Sequence, residues 1–269
     1  MSYAAWLAGL SIVFLLLERV RPRYDQPIFR RGITTDLFYL VFNGHFLGVG
    51  LAAITSPLIT HLDAALVQFG IHGALYAGVA SDLPTWMQFI VALLAIDLLQ
   101  WSIHNMLHRV PWLWEFHKVH HSIETMDWIG SLRFHWLEVV VYKSLTYPVL
   151  AWFGFDGGVL LGLAVVGTAI GHFNHANLTV SIGPLKYVLN HPAMHIWHHT
   201  HPDCGPPLRN FGINLSIWDW LFGTAHLPEA PPEHLAFDGI DGFPHTVPGQ
   251  LVHPMPLEGA VRARIAAPR

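Results

Sequence analysis

The sequence predicts an all-α fold: an integral membrane helical bundle of about four or five membrane segments, carrying a cytosolic cap rich in histidine. Three observations lead there. The 269 residues are 52% hydrophobic and only 12% charged, whereas soluble domains carry about 25% charge. Several apolar runs come near the ~20 residues with which a helix crosses the hydrocarbon core. Histidine numbers 20 against 14 Lys and Arg together, and its dense clusters fall at one end of those runs.

The first run is "YAAWLAGLSIVFLLL" (3–17). It has no basic segment before it and no A-x-A cleavage site, so it reads as an anchor and not a removed signal peptide. The second, "DLFYLVFNGHFLGVGLAAITSPLI" (36–59), and the third, "WMQFIVALLAIDLLQWSI" (86–103), read as spans. Two more, 137–155 and 157–171, are parted only by Asp156 and its flanking glycines and read as one hairpin, spanning or deeply re-entrant. Its Gly158/Gly162 and Gly167/Gly171 pairs suit close helix contacts.

Charge assigns the sides. Arg19, Arg21, Arg23, Arg30 and Arg31 lie between the first two spans, and the stretch from His61 to Thr85 has no Lys or Arg. The positive-inside rule makes the first loop cytoplasmic and the second not. Residues 104–136 and those after about 172 then return to the cytoplasmic side. The Pro- and Gly-rich tail from Leu227 reads as an extended segment that wraps the cap or stays flexible.

Composition excludes several classes. One cysteine, Cys204, permits no intrachain disulfide and no Cys-x-x-Cys metal site. A net charge of −4 without a basic, aromatic-interleaved run gives no footprint for nucleic acid. Neither G-x-G-x-x-G nor a P-loop occurs, so no nicotinamide, flavin or nucleotide site is encoded.

The histidines form His104 and His108, then His117, His120 and His121, then His172 and His175, then His195, His198 and His199. Residues three and four apart share a helical face, so each set can aim two or three imidazoles at one place. Unpartnered buried imidazoles are costly, and a cation resolves that cost. Ten imidazoles exceed the needs of one ion, so two ions are the economical reading. There is no H-E-x-x-H of a zincin, and no E-x-x-H of soluble di-iron bundles. Asp97, seven before His104, is an intramembrane carboxylate placed to accept the second N–H of a ligand. His135 and Glu138 are further candidates for orienting a ligand. His45, His61 and His72 lie toward the opposite side; His191, His201 and the tail histidines lack chelating spacing.

The stretches "LWEFHKVHHS" (113–122), "RFHWLE" (133–138), "FNHANL" (173–178), "MHIWHH" (194–199), "NFG" (210–212) and "WDWLFGT" (218–224) together resemble the fatty acid hydroxylase/sterol desaturase superfamily over roughly residues 90–225. That resemblance implies membrane anchor helices over 1–85, a histidine-box di-iron domain over 86–226 and a cytosolic tail over 227–269. It implies two iron ions and O2 as co-substrate. The expected activity is hydroxylation or desaturation of a lipid C–H bond, in a bacterial inner membrane or endoplasmic reticulum. Electrons would come from a separate ferredoxin- or cytochrome b5-type donor with its reductase. The family's boxes carry onto His104 and His108; His117, His120 and His121; His175; and His195, His198 and His199, with His172 as a possible tenth ligand. Departures are Asn105 where Arg is usual, Trp101 where Tyr is common and Trp136 where Pro is common. Rival readings are a zinc-dependent membrane lipid hydrolase, a bis-histidine haem redox carrier and a metal transporter.

Overall fold

The structure is a computed structural model that describes residues 1–71 and 78–255. Four of its helices are long and apolar enough to cross a membrane: α1 (Tyr3–Val20), α2 (Ile33–Gln68), α3 (Thr85–Arg109) and α6 (Gly157–His175). Most of their apolar side chains point outward, Ile12, Leu16, Ile54, Leu58 and Val91 among them. In water such an apolar coat would be untenable; against acyl chains it is what an integral membrane protein needs. The hairpin expected over 137–171 is α5 (Trp136–Phe153) and α6. Gly154 supplies the left-handed turn at φ 79°, and the Asp156 side chain caps α6 through the Gly158 amide at 2.7 Å.

The shorter helices are α4 (Pro111–His121), α7 (Pro192–His198), α8 (Ile217–Phe222) and α9 (Val247–Val252). Both α4 and α7 start on a proline, which fits a first helical turn because its missing N–H has no intrahelical partner there. The cap-side ends of the four spans are residues 20, 33, 109 and 175. The short helices all gather at that end.

A buried ionic network locks the membrane helices to the cap. Arg30 grips Asp127 through two bonds of 2.6 and 2.5 Å and Asp36 at 2.7 Å, while Arg133 meets the other oxygen of Asp36 at 2.5 Å. Glu18, at the end of α1, accepts the backbone N–H groups of Trp128 and Asn177 at 2.9 and 2.7 Å. Arg30, counted from sequence among the topogenic charges, is therefore a buried structural residue. Within α2 a π-helical turn spans Phe42–Phe46 and lets Asn43 donate to the carbonyls of Leu132 and Phe134, each at 2.9 Å. Next to it Gly44 takes the side chains of Leu7 and Leu132 where a Cβ would stand 2.9 and 3.1 Å from them, so α1 packs closely there. The tail wraps the cap as far as it is described: Phe237 and Phe243 pack on Tyr39 and Val119. His72 and residues 256–269 lie outside the described residues.

Candidate metal centre

The structure brings nine of the ten candidate imidazoles into two adjoining sets. The ring nitrogens of His104, His108, His117, His121 and His198 form one, all within 4.8 Å of one another, and those of His120, His175, His195 and His199 form the other. The H-x-x-H-H boxes do not each aim at one place, as their spacing suggested. Each divides. His117 and His121, one turn apart on α4, face the first set and His120 faces the second; His195 and His199 face the second set and His198 the first. Each box thus gives an i, i+4 pair to one focus and its i+3 ring to the other, and α4 and α7 interlock by exchanging one imidazole. His121 stacks on His199 with ring centroids 4.5 Å apart, which sets the two foci side by side. His104 and His108 add a second i, i+4 pair from the end of α3, and His175 comes from the end of α6.

Hydrogen bonding fixes which nitrogen is free. The Nδ1 atoms of His104, His120, His175 and His198 donate to the carbonyls of Phe211, Arg133, Gly171 and Arg209 at 2.8, 3.1, 2.9 and 2.9 Å. His117 Nδ1 donates to Glu138 Oε1 at 3.0 Å. An imidazole that gives its Nδ1 proton to an oxygen presents a bare lone pair at Nε2 when neutral. Yet the Nε2 atoms of His104 and His117 stand 3.1 Å apart, and those of His120 and His175 3.3 Å apart. No proton is left to bridge either pair, so two lone pairs confront each other in buried space. A cation between them removes the repulsion. Nitrogens at about 2.0–2.1 Å from one ion lie roughly 2.8–3.4 Å apart when adjacent, from octahedral to tetrahedral geometry, a range that contains these separations. Burial, reinforced by the neighbouring rings, holds the pKa of His120, His121, His195 and His199 well below the usual histidine range, and that of His198 at about 3. The rings are therefore neutral and ready to ligate at neutral pH. The donor set fits metal ions and offers them only uncharged nitrogen.

Three sequence candidates sit elsewhere. His172 is outside both sets: its Nδ1 meets Ser131 Oγ at 2.7 Å and its ring packs against Phe14 and Trp128. Lying three residues before His175, it shares that residue's face of α6 but sits a turn deeper. Asp97 reaches no imidazole. Two helical turns are about 10 Å along the axis, too far for its carboxylate to meet His104. It accepts instead from the backbone and side-chain amides of Asn214 at 2.9 and 2.8 Å, from the Leu215 amide at 3.0 Å and from Trp218 Nε1 at 2.9 Å. His135 caps α5 by accepting the Leu137 amide at Nδ1, and its Nε2 bonds the Leu251 carbonyl at 3.2 Å. With both nitrogens engaged it orients no ligand; burial lowers its pKa to about 4. Glu138 does meet a ring, that of His117.

The segment 209–224 explains itself as a clamp. Asp219 accepts the backbone N–H groups of Phe211 and Gly212, each at 2.8 Å, with Trp101 Nε1 at 3.0 Å and Thr224 Oγ1 at 2.6 Å. That holds the Phe211 carbonyl against His104. Asn210 donates to the Met194 carbonyl at 2.8 Å, tying the same strand of chain to α7. The oxygens that fix the rings are mostly main-chain carbonyls, which no residue letter announces; the only legible signal was the Asn, Asp and Gly around them.

Comparison with known proteins agrees with this geometry. The sequence model described as fatty acid hydroxylase matches residues 89–224, which contain all nine converging histidines. An ornithine lipid hydroxylase, OlsE, of Rhizobium tropici is 32% identical over 228 residues, covering 84% of this chain and 67% of that protein. Alkylglycerol monooxygenases of Danio rerio and Homo sapiens are each 31% identical, over 148 and 142 residues, and this chain spans 30% of their length. A very-long-chain aldehyde decarbonylase of Oryza sativa is 26% identical over 147 residues, 48% of this chain and 21% of that protein. No solved structure matches. With half of its length under that family's sequence model and its imidazoles gathered into two facing sets, this chain belongs to the fatty acid hydroxylase family.

Proposed function

We propose that this protein is a membrane-bound non-haem di-iron oxygenase that hydroxylates, or desaturates, a C–H bond of a lipid. The observation that carries the reading is the paired confrontation of bare Nε2 lone pairs in two sets of five and four imidazoles, within a chain whose relatives are named as lipid hydroxylases and monooxygenases. His104, His108, His117, His121 and His198 would hold one iron and His120, His175, His195 and His199 the other. Bound iron supplies the redox chemistry by which O2 is reduced and a C–H bond oxidised. For hydroxylation the balance is R–H + O2 + 2 electrons + 2 protons giving R–OH + H2O.

The chain's own residues do the rest. Carbonyls of Phe211, Arg133, Gly171 and Arg209 and the Glu138 carboxylate hold the Nδ1 protons, so each ring keeps one tautomer and one direction. Burial of eight of the nine rings, with His108 half-buried, limits their contact with bulk water, and the outward-facing apolar helices leave the centre at the edge of the lipid phase. The charge pattern around Arg19, Arg21, Arg23 and Arg31 favours a cytoplasmic cap. Electrons then come from a separate donor of the ferredoxin or cytochrome b5 kind with its reductase. The N-terminal spans over 1–85 serve as anchor, 86–226 as the catalytic unit and 227–269 as a wrapping tail.

Metal analysis of detergent-purified protein with an optical spectrum tests the reading. Two irons per chain without a Soret band, and a lipid product gaining one oxygen from 18O2 or losing two hydrogens, are expected. Zinc alone with a water-derived product would replace it with a hydrolase, and a Soret band with a haem carrier. His120→Ala should abolish the lipid mass shift.

A further inference from the structure

Beside the five-imidazole set lies a cavity of about 310 Å³. His108, His121, His198, Lys118, Phe237 and Arg209 are among the residues that line it. Arg209 is 6% exposed, and its Nη1 is buried with no hydrogen-bond partner. Its Nε donates to the Trp197 carbonyl at 2.8 Å, and the guanidinium lies 5.4 Å from the Trp197 ring. No carboxylate among the described residues pairs with it. Asp238, at the rim of the same cavity, is engaged by His201 at 3.2 Å, and Lys118 is matched by Glu115 at 2.5 Å. Arg209 is thus a buried cation of this cavity with no carboxylate paired to it among the described residues, and a guanidinium cannot shed its charge to escape burial.

The backbone around it is held against preference. Leu208 and Asn210, the residues on either side, have φ of 59° and 54°, and Ala236, which also lines the cavity, has φ 81°. Left-handed conformations cost Leu208 and Ala236 about 1–2 kcal/mol each, whereas asparagine adopts them readily, and such strained residues cluster at functional sites. The Arg209 carbonyl faces His198 Nδ1, and the same residue lines the cavity. One residue therefore positions an imidazole and offers a charge next to it.

We propose that Arg209 is an anion subsite that receives an oxyanion, carboxylate or phosphate, on the polar head of the lipid. With Nε bonded to the Trp197 carbonyl and Nη1 enclosed, the unbonded Nη2 is the charged donor left for one oxygen of such a group. The cavity admits a head group and a few carbons, not a whole acyl chain, so the anion and the oxidised carbon lie near each other in the substrate. This rests on the lipid-oxygenase reading for its substrate but not for its binding chemistry.

The test uses iron-loaded full-length protein in an uncharged detergent, with decanoate, decanol and inorganic phosphate as probes and binding followed by calorimetry. Decanoate should bind at least ~10-fold more tightly than decanol. Arg209→Gln should remove that difference, and Arg209→Lys should restore most of it. Phosphate should bind more weakly than decanoate and compete with it. Iron content and thermal stability of both variants, kept near those of the parent, show that the centre is intact; if Gln disturbs them, Arg209→Met takes its place, and decanoate binding by that variant as tight as the parent's overturns the proposal. Equal binding of decanoate by parent and Gln variant would overturn the proposal, since the carboxylate would then be held by the metal or the detergent interface. Phosphate binding as tightly as decanoate would overturn the lipid source. Failure of the oxygenase reading would show instead as zinc content or a missing lipid product, with the charge preference at Arg209 retained.

Discussion

Glu138 accepts the Nδ1 proton of His117 at 3.0 Å, with both side chains buried. It is a carboxylate holding a ring of the five-imidazole set, where the other fixed rings rely on carbonyls. A carboxylate behind a ligating histidine fixes its tautomer and raises its basicity, and losing such a partner costs about 10–100-fold in metal affinity or activity. Glu138→Ala should therefore lower metal retention against a chelator by that factor. Glu138→Gln, which keeps an acceptor oxygen but loses the charge, should fall between the two. Equal retention in all three proteins would show that the pair is ornamental to the centre.

The division of each box between two sets predicts unequal effects of neighbouring substitutions. His104→Ala removes a ring from the first set only and His175→Ala from the second only, so each should lower metal content toward one ion per chain. His172→Ala, three residues from His175, should leave metal content unchanged, because its ring meets Ser131, Phe14 and Trp128 and no other imidazole of the sets. Elemental analysis of the three purified variants decides the matter. Loss of metal in the His172 variant would enlarge the second set to five.

How much of this was legible in the sequence follows from how local each signal was. Helix periodicity and run length announced α1, α3 and α6, and i, i+3 and i+4 spacing announced the imidazoles. The same spacing could not say that His120 and His198 turn to the opposite focus, because that depends on α4 and α7 meeting face to face at long range. Asp97 illustrates a second limit. Its burial in a span was readable, but its partners Asn214, Leu215 and Trp218 lie more than a hundred residues away. Arg30 misled for a similar reason: a charge beside a span looks topogenic until Asp36 and Asp127 are found around it.

Asp219 should be the residue whose loss most loosens the cap without touching an imidazole. It gathers two backbone amides, an indole and a hydroxyl, and removing it leaves buried donors without acceptors. Hydrogen bonds to charged groups contribute about 1.5–3 kcal/mol each, and they are not additive within one network. Asp219→Ala should then destabilise by on the order of 3 kcal/mol, seen as a fall in Tm in detergent, and metal should leave the first set ahead of the second as the Phe211 carbonyl releases His104. Asp219→Asn should do less. A variant as stable as the parent would mean that the 209–224 clamp is held by Asp97 alone.

Acid should unfold the metal-stripped protein early. His198, with its pKa near 3, and His120, His121, His195 and His199, all held well below the usual range by burial, stay neutral in the fold while the unfolded chain takes up protons near pH 6.5. Stability depends on the difference in bound protons, and here the unfolded state binds more. Above about pH 6.5 neither state is charged and the full stability is present. As pH falls toward the folded pKa values the unfolded state is favoured progressively, so Tm should drop steadily between about pH 6.5 and 4. Metal shifts that decline to lower pH because protons must then displace an ion from every ring. Melting curves of stripped and iron-loaded protein across this range check both parts; a Tm of the stripped protein that does not change with pH would mean that the nine rings already share protons in the folded state.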